Sequence, residues 1–152
     1  MIRCTFAGHR DVVGLSIADI MSVLEEIIQQ TNSDIECLVG GMGNFDTLAA
    51  SAVRRLQKKY RSRHISLILV LPYFQHKINE NKSYYEEMFD VIILPSELEG
   101  VHYKRAIGLR NRWMVDQSDY LIFMVQREYG GAYEMLKYAY KKNIKVIDLS
   151  GE

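Results

Sequence analysis

The sequence is poor in the features that mark specialised protein classes. It has two cysteines, Cys4 and Cys37. Both fall inside runs that read as buried strands, and two lone thiols fit a reducing compartment better than a disulfide framework. The histidines His9, His64, His76 and His102 have no cysteine partner at metal-ligand spacing, so no metal site is expected. The formal net charge is zero, which gives no pull towards duplex nucleic acid or an anionic membrane. No apolar run reaches the roughly 20 residues needed to span a bilayer. The opening residues show no charged-then-apolar export pattern. A cytoplasmic location without a membrane partner is therefore expected. Repeats, low-complexity stretches and linkers are also lacking. With 152 residues, 48% apolar and 25% charged, the chain reads as one globular domain over 1–152, long enough to bury a core without staples.

What is there is an alternation. Short apolar runs at 2–7, 35–39, 65–71, 91–94, 120–125 and 144–149 read as strands. Between them lie helix-period stripes. Ile17, Ile20, Met21, Leu24, Ile27 and Ile28 form one, with Ser16 as a cap. Leu48, Ala49, Ala52, Val53 and Leu56 form the next, within a helix predicted over 45–60. A third helix is predicted over 103–115, and a last one carries Ala132, Met135, Leu136 and Ala139. The run Ile65 to Leu71 is almost wholly aliphatic, as in a strand covered on both faces. The pattern predicts an α/β fold, Rossmann-like and doubly wound, with a mostly parallel sheet of about six strands and helices on both faces. The Tyr- and Phe-rich stretch 73–90 fits a helix, a lid or both.

In such a sheet, ligands bind outside the carboxyl ends of the strands, so the residues just after each strand matter most. These are Gly8-His9-Arg10, the loop Gly40-Gly41-Met42-Gly43-Asn44-Phe45-Asp46, Pro72-Tyr73, and Gln126-Arg127-Glu128-Tyr129-Gly130-Gly131. Two of the four are glycine-rich and run into a helix, whose first amides are unpaired and partly positive. Such a start can cradle a phosphate; equally, its glycines can serve only a tight turn. Neither loop carries the dinucleotide fingerprint or a P-loop.

Arginine forks suit phosphate, and Arg110 and Arg112 flank Asn111. Residues two apart do not share a helix face, so one of the pair is expected to face the ligand and the other the solvent. Glu134 and Asp46 each stand in the first turn of a helix. A carboxylate there is favoured by the dipole, and it can also bind sugar hydroxyls or exchange protons. His9 can donate to phosphate, act as an acid or simply fill a turn. Tyr73, Tyr129 and Tyr133 can stack a base. Trp113 and Met114 fit a core or an interface between copies, which leaves a homo-oligomer open.

Four segments together resemble the SLOG superfamily. They are Phe6-Ala7-Gly8-His9-Arg10, the loop from Gly40 to Asp46, Leu69-Val70-Leu71-Pro72-Tyr73 with Gln75, and the run from Arg110 to Asp119. More narrowly, they are similar to its small stand-alone bacterial and phage members. The likeness extends over nearly the whole chain. The superfamily also holds the Lonely Guy phosphoribohydrolases and the Smf-type DNA-uptake proteins. The resemblance implies a Rossmann-like sheet with a pocket for nucleotides or ADP-ribose-like ligands. It aligns Arg110 with the phosphoribohydrolase arginine, and Gly130 and Glu134 with the glycine and the acid of that active loop. Gln126-Arg127-Glu128 stands where those enzymes have Pro-Gly-Gly, and Gly131 where they have threonine.

The expected function is binding of a nucleotide or ADP-ribose-like, phosphate-bearing small molecule, as a sensor or sequestering module. The expected contacts are Gly8, His9, Arg10, Gly40, Gly41, Gly43, Asp46, Pro72, Arg112, Gly130 and Gly131. The alternative is phosphoribohydrolase-type cleavage of an N-glycosidic bond in a nucleoside monophosphate, with Glu134 and Arg110 catalytic. No cofactor is expected, and nucleic acid is the less favoured partner because no basic stripe with interleaved aromatics is evident.

Overall fold

The computed structural model describes residues 1–12 and 14–150. Six strands form one sheet: β1 (Ile2–Gly8), β2 (Ile35–Val39), β3 (Ile65–Val70), β4 (Val91–Ile93), β5 (Tyr120–Met124) and β6 (Lys145–Asp148). Their order is β4-β3-β2-β1-β5-β6, and every pairing is parallel. The long helices are α1 (Ile17–Gln30), α2 (Gly43–Lys59), α5 (Tyr103–Gln117) and α6 (Gly131–Lys142). The aromatic stretch before β4 holds two short helices, α3 (His76–Glu80) and α4 (Lys82–Met88). Ile78, Tyr85, Met88 and Phe89 pack against the core on the α1–α2 side of the sheet, while Phe74 and Tyr84 stay exposed.

The aliphatic strands are covered on both sides. Side chains alternate along each strand. Cys4 and Phe6 of β1, Cys37 and Val39 of β2 and Leu67 and Leu69 of β3 pack with Ile20, Leu24, Val53 and Leu56 of α1 and α2. Ala7, Leu38, Ile68, Val70, Leu121 and Phe123 face the other way and pack with Met114 and Val115 of α5 and Met135, Leu136 and Ala139 of α6. Each large apolar side chain so buried contributes about 1.5–3 kcal/mol. Cys4 and Cys37 lie opposite one another in the β1–β2 register. A hydrogen bond to Cys4, together with burial, raises the pKa of the Cys37 thiol well above its ordinary value.

Helix starts follow local chemistry. Ser16 caps α1 in a reciprocal box with Asp19, which satisfies two orphan amides. α2 begins at Gly43, with Met42 as its cap residue, two residues before the apolar stripe predicts. Met114 and Trp113 both belong to the α5–α6 side of the core, Met114 fully buried. The indole Nε1 of Trp113 donates to Glu97 at 2.6 Å. No helix among the described residues is long and apolar enough to cross a membrane.

Candidate functional site

The chain leaves β1 for β2 on one side and returns to pair with β1 through β5 on the other. At such a switch point the flanking loops diverge and open a crevice. A cavity of about 460 Å³ lies there. Gly8, His9, Arg10 and Asp11 after β1, and Arg127, Tyr129, Gly130 and Gly131 after β5, form part of its wall. Arg110 and Asn111 of α5, with Met42 and Asp46 at the start of α2, form another part. Phe6, Ile107, Met114 and Met135 make an apolar floor.

Arg110 is 2% exposed. Its Nη1 donates to the carbonyls of Val70 at 2.8 Å and Gly40 at 3.1 Å, and its Nε donates to Asn111 at 3.0 Å. Thus it ties the carboxyl ends of β2 and β3 to α5. Nη2 meets only the Met42 sulfur, at 3.8 Å. Among the described residues no carboxylate lies within 4.0 Å of the guanidinium of Arg110 or Arg10. Burial lowers the Arg110 pKa, and Asp46 opposes that shift; an arginine stays charged regardless.

Asp46 is half-buried on the wall. Its Oδ2 accepts the Met42 N–H at 3.1 Å. Desolvation pushes its pKa up to about 6, against the pull of the Met42 amide, Arg110 and Arg10. The carboxyl therefore holds a proton for part of the time near neutrality.

His9 is buried, and its Nε2 accepts the N–H groups of both Gln126 and Arg127, each at 3.1 Å. That fixes the ring as the neutral tautomer with its proton on Nδ1. Burial, and then Arg127, lower its pKa, while Asp11 opposes them. His9 thus fastens the loop after β5 to the end of β1.

The glycines divide by role. A methyl on Gly8 would lie 2.2 Å from the Phe45 ring, one on Gly40 2.8 Å from the Arg110 Cζ, and one on Gly43 2.7 Å from the Arg10 side chain. In each case the space is taken by the protein itself. The start of α2 is partly satisfied by the protein: Asp46 takes the Met42 amide and the Arg10 carbonyl takes the Asn44 amide at 3.0 Å. The α6 start differs. Gly130 caps it at φ 92° and ψ 175°, a region open essentially to glycine alone. Nothing lies within 4 Å of an added Cβ at Gly130, and at Gly131 only the Asn111 side chain does, at 3.8 Å.

Of the expected contacts, the structure gathers Gly8, His9, Arg10, Asp46, Gly130 and Gly131 at the cavity, with Arg110. It does not bring Gly40, Gly41, Gly43 or Pro72 to the wall. Gly40 serves Arg110, and Gly41 turns at φ 70° beside Leu69. Arg112 is exposed, its guanidinium over the Tyr138 ring at 5.3 Å. Glu134 is also exposed and pairs with Lys137 at 3.5 Å, because Met135 and Leu136 take the inward face of α6. Glu128 is exposed and off the wall as well. Asn111, Met42, Asp11 and Arg127 are wall residues that the sequence reading did not select. One signal was there for the α5 side: Ala106, Arg110 and Met114 recur every four residues, so the arginine stands in an inward apolar row. No cluster of three or more metal-ligating side chains occurs among the described residues.

A family model, the YspA SLOG family, matches residues 13–149. The chain belongs to the YspA SLOG family. The superfamily resemblance carried by the sequence motifs is therefore borne out. No curated protein matches the sequence significantly. Among solved structures, DNA processing protein A of Streptococcus pneumoniae matches this SLOG chain with a TM-score of 0.67 at 16% identity, over 97% of this chain and 50% of that one. DNA processing protein A of Helicobacter pylori, described with a single-stranded DNA binding mode, matches with 0.64 at 16% identity, over 97% and 64%. The structural genomics target TM1055 matches with 0.58 at 14% identity, over 96% and 72%. At these identities the likeness is one of fold. The SLOG chain spans half the length of the first of these proteins and 64% of the second.

Proposed function

We propose that the protein binds a phosphate-bearing small molecule of the nucleotide or ADP-ribose class in the cavity between β1 and β5. The observation that carries this reading is Arg110, a buried cation with no carboxylate at salt-bridge distance among the described residues, on the wall of an open cavity. A buried charge needs compensation. Here the carbonyl dipoles and the nearby Asp46 carboxyl supply part of it, and an anionic ligand supplies the rest. Arg10 adds a second cation without a carboxylate partner among the described residues, and the α6 start at Gly130 and Gly131 adds backbone donors. The apolar floor suits the remainder of a nucleotide, since small-molecule sites join apolar walls to a few fixed polar groups.

Binding rather than cleavage is favoured. The carboxyl groups on the wall are those of Asp11 and Asp46. Glu134, the acid of the N-glycosidic alternative, points to Lys137 instead. A small ligand is also favoured over a DNA strand of the kind bound by the Helicobacter pylori protein. Much of the basic stretch at 54–63 is spent internally: Arg54 on Asp90 and the Met88 carbonyl, Lys59 on Glu25, and Arg63 on the carbonyls of Ile28 and Ser33.

Calorimetric titration with AMP, ADP-ribose and NAD tests the reading. One-to-one binding of at least one of them is expected. Gly131→Asp keeps the helix start favourable but sets a carboxylate against the ligand, and should weaken binding at least tenfold. Absence of heat with all three ligands would overturn the proposal.

A further inference from the structure

The rim of the cavity carries an aromatic ring that the core does not use. Tyr129 is 65% exposed, yet it lines the cavity beside Gly130. A tyrosine on a free surface loop would sample many positions. This one is restrained through three other residues. His9 holds the backbone N–H groups of Gln126 and Arg127. Asp11 holds the Arg127 guanidinium at 2.6 Å. That guanidinium lies over the Tyr129 ring, 5.5 Å from its centroid. These contacts restrain the ring at the cavity mouth before any ligand arrives, which lowers part of the ordering cost of binding. A cation covers one face, and the exposure leaves the other open.

We propose that Tyr129 is the platform on which the aromatic base of a nucleoside phosphate stacks, with Arg127 and Asp11 as its positioning residues. The inference rests on the anion-binding reading above and sharpens it: the ligand is a nucleotide and not a base-free sugar phosphate. The geometry suits that division of labour. Arg110, Arg10 and the α6 amides take the charged end inside, and the ring takes the flat end at the mouth. Stacking on an aromatic side chain tolerates any base, so purine and pyrimidine nucleotides should both benefit.

The test is titration of the wild-type chain, Tyr129→Phe and Tyr129→Ala with AMP, GMP, CMP and UMP, each set against ribose 5-phosphate. At least one nucleotide should bind the wild type about tenfold or more tightly than ribose 5-phosphate. Tyr129→Phe should keep that preference. Tyr129→Ala should abolish it while leaving ribose 5-phosphate unchanged. Asp11→Asn, which frees Arg127, should narrow the ratio between nucleotide and ribose 5-phosphate affinities. Equal binding of nucleotide and sugar phosphate by the wild type overturns the platform and leaves the anion site standing. A preference that survives Tyr129→Ala also overturns the platform. Failure of every probe to bind overturns the platform, and if ADP-ribose and NAD are also silent the anion site falls with it.

Discussion

Gly40 and Arg110 are fitted to one another: the space a side chain would need at Gly40 is filled by the Arg110 guanidinium, whose Nη1 bonds the Gly40 carbonyl at 3.1 Å. Gly40→Ala should therefore push the guanidinium off its two carbonyls. Overpacking of this kind costs about 1–3 kcal/mol. The expected result is a lower denaturant midpoint and loss of anion binding, measured by urea unfolding and calorimetry. Wild-type stability in Gly40→Ala would show that the arginine is free to move.

Asp46 gives stability a pH dependence. Its carboxyl is pushed up to about 6 in the folded chain from an ordinary value of 3.8. The folded state thus binds more protons between these values, and stability falls as pH rises from about 4 to 6, by up to about 3 kcal/mol. Asp46→Asn can still accept the Met42 amide and should remove this component. Unfolding midpoints for the two proteins should converge at pH 4 and diverge, with the variant higher, by pH 7. A bound anion raises the carboxyl further, so wild-type affinity should increase as pH falls through 6, and the variant should lose that trend.

His9 acts with the opposite sign. Its pKa is lowered by burial and by Arg127. The unfolded chain therefore takes up the proton first, and the stability present above pH 6.5 is lost as pH falls through the lowered value. His9→Ala leaves two amides without their acceptor. Hydrogen exchange at Gln126 and Arg127, followed by NMR, should quicken markedly in that variant.

Much of this architecture was legible in the sequence because apolar periodicity reports burial. The continuous aliphatic run at β3 marked a strand covered on both faces, and the stripes of α1 and α6 marked their inward sides. The site was less legible, because its chemistry depends on direction and not on composition. Arg110 and Arg112 look alike in sequence, but only the first shares a row with Ala106 and Met114. The glycines of the second loop look like a phosphate cradle, yet their missing side chains make room for Arg110 and Arg10. Arg127 and Asp11, 116 positions apart, meet only because β1 and β5 are neighbours.

Arg112 and Glu134 serve as controls. Both are exposed and off the cavity wall. Arg112→Ala and Glu134→Gln should each shift stability by less than about 0.5 kcal/mol and leave the dissociation constant of any nucleotide unchanged in calorimetry. A tenfold loss with Glu134→Gln would restore that residue to the site.

The paired thiols of Cys4 and Cys37 turn the centre of the sheet into a clock. Each sulfur is shut off from reagents until the middle strands come apart, so alkylation of the intact chain counts whole-molecule openings. Any compound that occupies the native form must slow that count in proportion to its occupancy. The chain thereby carries its own assay for whatever it holds, with no label added and no product to detect.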